Sequence, residues 1–121
     1  MNNERIEIYI YVNKINKNKA SYGIYLKYYN KSNLFIADKK ISNIIQYKKF
    51  DEEVIYRSLI DACSLIKNKD ILTLFYCSYD GSYKRTKELD KVIKKFYRVN
   101  FIFNYEDETA RLISKEGLKE E

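Results

Sequence analysis

The sequence predicts an α/β domain built on a single five-stranded mixed sheet with helices on both faces. Three observations carry this. Residues 6–13 alternate apolar and polar side chains with a period of two, and two further β-like stretches follow at short intervals. Later, "DILTLFYCSYD" is an almost unbroken apolar run, as a central parallel strand requires. Three segments with apolar residues at helical spacing alternate with the last two strands. The resulting order is β-β-β-α-β-α-β-α.

Ile6, Ile8, Ile10 and Val12 against Glu7, Tyr9, Tyr11 and Asn13 define the first strand. "NKINKNKA" reads as a loop by composition. "SYGIYLKYYN" is a second strand, with Gly23 inside it marking a bulge or a close approach of another backbone. After "KS" comes a third, "NLFIADKKIS", and the short links imply an antiparallel meander. "NIIQYKKF" reads as an irregular connection. Asp51 is placed to cap a first helix, with Glu52 and Glu53 in its opening turn and Ile55, Leu59, Ala62 and Ile66 along its apolar face.

After the fourth strand, Ser82 is placed to cap a second helix, "YKRTKELDKVIKKFYRV", whose stripe is Leu89, Val92, Ile93 and Phe96. "NFIFNY" is the fifth strand. Asp107 is placed to cap a last helix, "ETARLISKE", stopped by Gly117. Helical crossovers imply that strands four and five run parallel to strand one. Residues 1–117 are read as one domain and 118–121 as a charged tail.

Composition narrows the chemistry. There is no histidine, which removes Ser-His-Asp and Cys-His catalysis and the usual imidazole metal sites. Cys63 and Cys77 fall in apolar surroundings and read as buried thiols; two thiols alone make no zinc site. No cofactor is expected. The formal net charge is +6, which suits an acidic or nucleic-acid partner. No apolar run approaches the roughly 20 residues of a membrane span, and "MNNERIEIYIYV" has no signal-like apolar core. A cytoplasmic location without membrane association is the expectation.

The element order and several local stretches resemble the ribonuclease H-like superfamily. "IEIY" is similar to the start of that family's first strand, and Tyr22-Gly23 in "SYGIYLKYY" to its second. "RSLIDACSLIKN" resembles the first helix and "ETARLISKEG" the closing one. The resemblance implies a phosphodiester-cleaving centre in which about four carboxylates hold two Mg²⁺ ions. Those acids would come from the end of strand one, the first helix, the end of strand four and the closing helix. Carried over, the positions fall on Ile10, Tyr11, Val12 or Asn13 depending on register, on Ile55, on Cys77 or, with a short insertion, on Asp80 within "SYDGSY", and near Arg111. Only Asp80 is a carboxylate, and it also suits a plain Asp-Gly turn with Gly81. The resemblance, with these departures, implies a family member that has lost its nuclease centre.

Two surfaces remain as binding candidates. Lys84, Lys87, Lys91, Lys94 and Arg98 lie along one side of the second helix, opposite its apolar stripe. An ordinary solvated face of a lysine-rich protein explains them as well. Tyr9 with Tyr11, and Tyr25 with Tyr29, have the even spacing that puts each pair on one sheet face. The expected function is a catalytically inactive module that binds nucleic acid (RNA, DNA or a hybrid) or a nucleic-acid-handling protein. One alternative is a protein-protein adaptor or homodimer using the tyrosine-rich sheet or its edge, where Lys39 and Lys40 guard the third strand. Another is a divergent Mg²⁺- or Mn²⁺-dependent nuclease using Asp80 with Glu52 and Glu108.

Overall fold

The computed structural model describes residues 3–81 and 87–116. Five strands, β1 (Arg5–Asn16), β2 (Lys19–Tyr29), β3 (Phe35–Gln46), β4 (Leu72–Cys77) and β5 (Val99–Ile102), form one sheet in the order β3-β2-β1-β4-β5. β1–β2 and β2–β3 are antiparallel, whereas β4 runs parallel to both β1 and β5. This is the expected mixed sheet, and the helices α1 (Tyr56–Ser64), α2 (Lys87–Lys94) and α3 (Glu108–Glu116) fall in the expected order.

Period-two alternation separates the sheet into two chemically distinct faces. Ile6, Ile8 and Ile10 share one face with Tyr22, Ile24, Phe75 and Cys77, all buried in the core with α1 and α2. The anticipated α1 face, Ile55, Leu59, Ala62 and Ile66, is buried throughout, as are Leu89, Ile93 and Phe96 of the α2 region. The opposite face carries Glu7, Tyr9 and Tyr11 and is covered in part by α3. At the start of α3 the Asp107 carboxylate accepts the Ala110 backbone N–H at 3.0 Å, which is the N-cap expected of it.

Several local expectations are corrected. "NKINKNKA" is not a loop: β1 and β2 continue to a tight turn at Lys17 and Asn18, with Asn16 paired to Lys19 and Ile15 bulged out. Asn16 Oδ1 accepts the Asn18 N–H at 3.0 Å, so the asparagine closes the turn from within the strand pattern. "NIIQ" is likewise not irregular but the last third of β3, paired with Lys19, Ala20, Ser21 and Tyr22. Polar asparagines hid both strand extensions from a composition-based reading.

The first helical segment starts earlier than expected. Backbone helix begins at Phe50, and a π-helical turn, Asp51–Ile55, leads into α1. Asp51 therefore stands inside the helix rather than ahead of it, and Glu53 accepts the Lys48 N–H at 3.0 Å. α2 stops at Lys94, so Arg98 lies outside it, in the connection to β5. β4 is not covered equally on both faces: Thr73, Phe75 and Cys77 are buried, and Leu72, Leu74 and Tyr76 are half-exposed. The caps expected at Ser82 and Gly117 and the tail at 118–121 lie outside the described residues.

Candidate functional site

The carboxyl end of β4 lies against the middle of β1, which runs on past it to Asn16. Ile10 pairs with Cys77, the Ser78 N–H donates to the Ile10 carbonyl at 3.0 Å, and the Val12 N–H donates to Ser78 Oγ at 3.1 Å. The residue held against β1 just past the end of β4 is therefore Ser78, a position sequence reasoning missed. Asp80 lies two residues farther on and is exposed. Gly81 follows against the Phe103 ring, which a Cβ there would approach to 2.8 Å. A side chain at position 81 would therefore have to displace that ring.

Tyr11 and Asn13 are half-buried on the α3 face of β1. Tyr11 pairs with Gly23, over which α3 crosses. Arg111, on α3, donates to the Glu108 carboxylate at 2.9 Å. The Glu108 hydrogen bond and its negative charge raise the guanidinium pKa further above its ordinary value. Ile55 is elsewhere: it is 4% exposed, packed in the core cluster with Val54 and Leu59. The structure therefore puts Arg111 on the helix that crosses Gly23, the partner of Tyr11, puts Ser78 beside β1, and keeps Ile55 in the hydrophobic core.

These residues do not fit a two-metal centre. A pair of divalent cations needs several anionic oxygens converging on one point. Among the described residues, no group of three or more Asp, Glu, Cys or His side chains is placed to hold a metal ion. Glu108 is engaged with Arg111 in an ion pair 2.9 Å long, so its carboxylate is already shared with a cation.

The tyrosines converge more than their spacing alone showed. Tyr76 of β4 pairs with Tyr9, Tyr9 with Tyr25 of β2, and Tyr25 with Lys40 of β3, giving one row across the α3-side face. Tyr9 and Tyr76 stack with centroids 4.7 Å apart, and Tyr105 leans on both at 5.8 and 5.0 Å. Lys27 Nζ stands over the Tyr9 and Tyr25 rings, at 5.4 and 5.5 Å. Beneath them Glu7 accepts the Tyr9 hydroxyl at 2.7 Å and Arg5 Nε at 2.8 Å. Burial and this carboxylate push the Tyr9 pKa upward. Tyr9 is only 7% exposed, so its ring faces are occupied within the protein and offer no stacking platform. Tyr76 and Tyr105 joined the cluster unforeseen, because the parallel β1–β4 register is a long-range property.

On α2, Lys87, Lys91 and Lys94 are exposed, one turn apart, on the side away from buried Leu89 and Ile93. Arg98 is exposed beyond the helix, and Lys84 lies outside the described residues. No helix among the described residues is long and apolar enough to cross a membrane.

No protein-family model matches the chain, and no curated protein matches it. Solved structures do. The chain is similar to RNase H1 from the halophilic archaeon Halobacterium salinarum NRC-1, with a TM-score of 0.57, 9% identity and 94% of each chain covered. It is also similar to LC11-RNase H1 in complex with an RNA/DNA hybrid, with a TM-score of 0.55, 16% identity, and 92% of this chain and 96% of that one covered. At such identities the likeness speaks to architecture: the chain has a ribonuclease H-like fold.

Proposed function

We propose that this chain is a catalytically inactive ribonuclease H-like module that binds nucleic acid through the outward side of α2. The observation that carries the binding reading is the row of exposed cations, Lys87, Lys91 and Lys94, on a helix whose opposite side is anchored in the core. Such a row neutralises successive phosphates and releases their counterions. That a protein of the same fold has been seen with an RNA/DNA hybrid supports the choice of ligand. The lack of a metal-holding acid cluster among the described residues supports the inactive reading.

A mobility-shift titration of RNA, DNA and hybrid duplexes across salt tests the binding. Affinity should fall as salt rises, and Lys91→Glu with Lys94→Glu should weaken binding and flatten the salt dependence by roughly one unit of slope per lost phosphate contact. Binding that ignores both changes would reject this surface.

A second reading, self-association through the sheet edge, has one observation in its favour. β3 is an edge strand, and Leu34, Phe35 and Ile36 at its start are each more than half exposed. Light scattering of the intact chain and of Ile36→Lys would decide it: a dimer dispersed by the lysine supports the edge, and a monomer at every concentration removes it.

A further inference from the structure

Tyr97 is 74% exposed, more than any other large hydrophobic side chain among the described residues. Its backbone is nonetheless anchored. Its N–H donates to the Lys69 carbonyl at 2.8 Å, and its neighbour Phe96 is buried beneath Lys69 Nζ, 5.4 Å from the ring centroid. On the other side, the Arg98 carbonyl accepts the Thr73 N–H at 3.0 Å as β5 begins. An aromatic ring thus projects into solvent from a corner tied by backbone hydrogen bonds. Two connections, α1–β4 and α2–β5, meet there.

The corner is strongly basic. Lys67 and Lys69 come from the first connection, Lys94 from the last residue of α2, and Lys95 and Arg98 from the second connection, against Asp70 alone in residues 67–70 and 94–98. Lys69 is engaged with the Ile66 carbonyl and Phe96, whereas Lys67, Lys94, Lys95 and Arg98 are exposed. The corner lies where β4 and β5 begin. Tyr11, Ser78 and Asp80 lie at the other end of the parallel strands, so the two surfaces are separate.

We infer that this corner binds single-stranded nucleic acid, with an unpaired base stacked on Tyr97 and phosphates held by Lys67, Lys94, Lys95 and Arg98. The chemistry follows from the pairing of a projecting ring with surrounding cations, because every unpaired base offers a π-face and the backbone supplies the anions. A duplex buries its base faces in its own stack, so the ring has nothing to meet there. The inference rests on the nucleic-acid reading above and adds the class of ligand and the contacting ring.

Fluorescence anisotropy with a labelled oligo-deoxythymidine, an abasic oligonucleotide of the same length and a duplex tests it. The intact protein should prefer oligo-deoxythymidine to the abasic strand. Tyr97→Leu should weaken oligo-deoxythymidine binding about tenfold and leave the abasic strand unaffected, while Tyr97→Phe keeps the preference. Lys95→Glu with Arg98→Glu should weaken both single strands. If Tyr97→Leu binds like the intact chain while Lys87→Glu with Lys91→Glu abolishes binding, the α2 reading survives and the corner is rejected. Equal competition by polyglutamate, with or without Tyr97, would reduce the corner to a general anion patch and overturn the base contact. No binding to any strand or duplex overturns both readings.

Discussion

A Cβ built on Gly23 would lie 2.3 Å from the Ala110 carbonyl oxygen and 2.7 Å from Ile113 Cγ1. The backbone of α3 therefore rests directly on the backbone of β2, and any side chain at position 23 must lift the helix. Gly23→Ala should destabilise the fold by about 2–3 kcal/mol, the usual penalty of overpacking a tight contact, or more if α3 cannot shift. Urea unfolding checks this. An unchanged midpoint would show that α3 tolerates displacement.

Two residues along β2, Ser21 lies on the same face, 1% exposed, and its hydroxyl has no hydrogen-bond partner among the described residues. A buried, unpaired hydroxyl costs about 1–3 kcal/mol. Ser21→Ala should thus be neutral or stabilising by about 1 kcal/mol in the same unfolding assay, against the usual trend for core substitutions. A clear loss of stability would show that the hydroxyl has a partner such as buried water.

On the opposite face, Tyr22 donates to the Asp61 carboxylate of α1, with Arg57 3.5 Å from the same carboxylate. Burial first, then that hydrogen bond, raise the Tyr22 pKa from 10.0 to about 12. The folded state holds this proton more tightly than the unfolded chain, so the contribution is complete below pH 10 and is lost as pH rises from 10 through 12. Tyr22→Phe should be about 1 kcal/mol less stable near pH 8. The gap should narrow above pH 10, by at most about 1.4 kcal/mol per pH unit. A gap that stays constant to pH 11.5 would assign the alkaline loss to the other raised tyrosines, such as Tyr25 and Tyr76.

The sequence made the fold legible because its strongest signals were local and periodic. Ile6, Ile8 and Ile10 announce a one-sided strand, and Leu59, Ala62 and Ile66 a helix that must lie on it. Element ends were less legible. Asn16, Asn18 and Asn43 look like loop residues, yet ladder hydrogen bonds hold them in strands or in a two-residue turn. The candidate site was legible only where one element carries it, as with Lys87, Lys91 and Lys94. Ser78 beside Ile10, and Tyr97 beside Lys69, depend on contacts between segments far apart in sequence, and no spacing rule encodes those.

The proposed inactivity makes a sharp chemical demand. Hydrolysis by two metal ions requires carboxylates that neutralise both ions and hold attacking and leaving oxygens in line. Here Ser78 occupies the place against β1 beside the end of β4, Ile55 is sealed in the core, and Arg111 is a cation paired with Glu108. Asp80 alone cannot organise such a centre. An RNA/DNA hybrid incubated with the chain and Mg²⁺ or Mn²⁺ should remain intact, and Asp80→Asn should give the same result. If the intact chain cleaves with metal and Asp80→Asn does not, the protein is a nuclease with a rebuilt ligand set. Metal-dependent cleavage that survives Asp80→Asn would place the chemistry elsewhere on the chain. Either result ends the inactive reading, while the α2 surface would still be judged by its own salt and charge-reversal titrations.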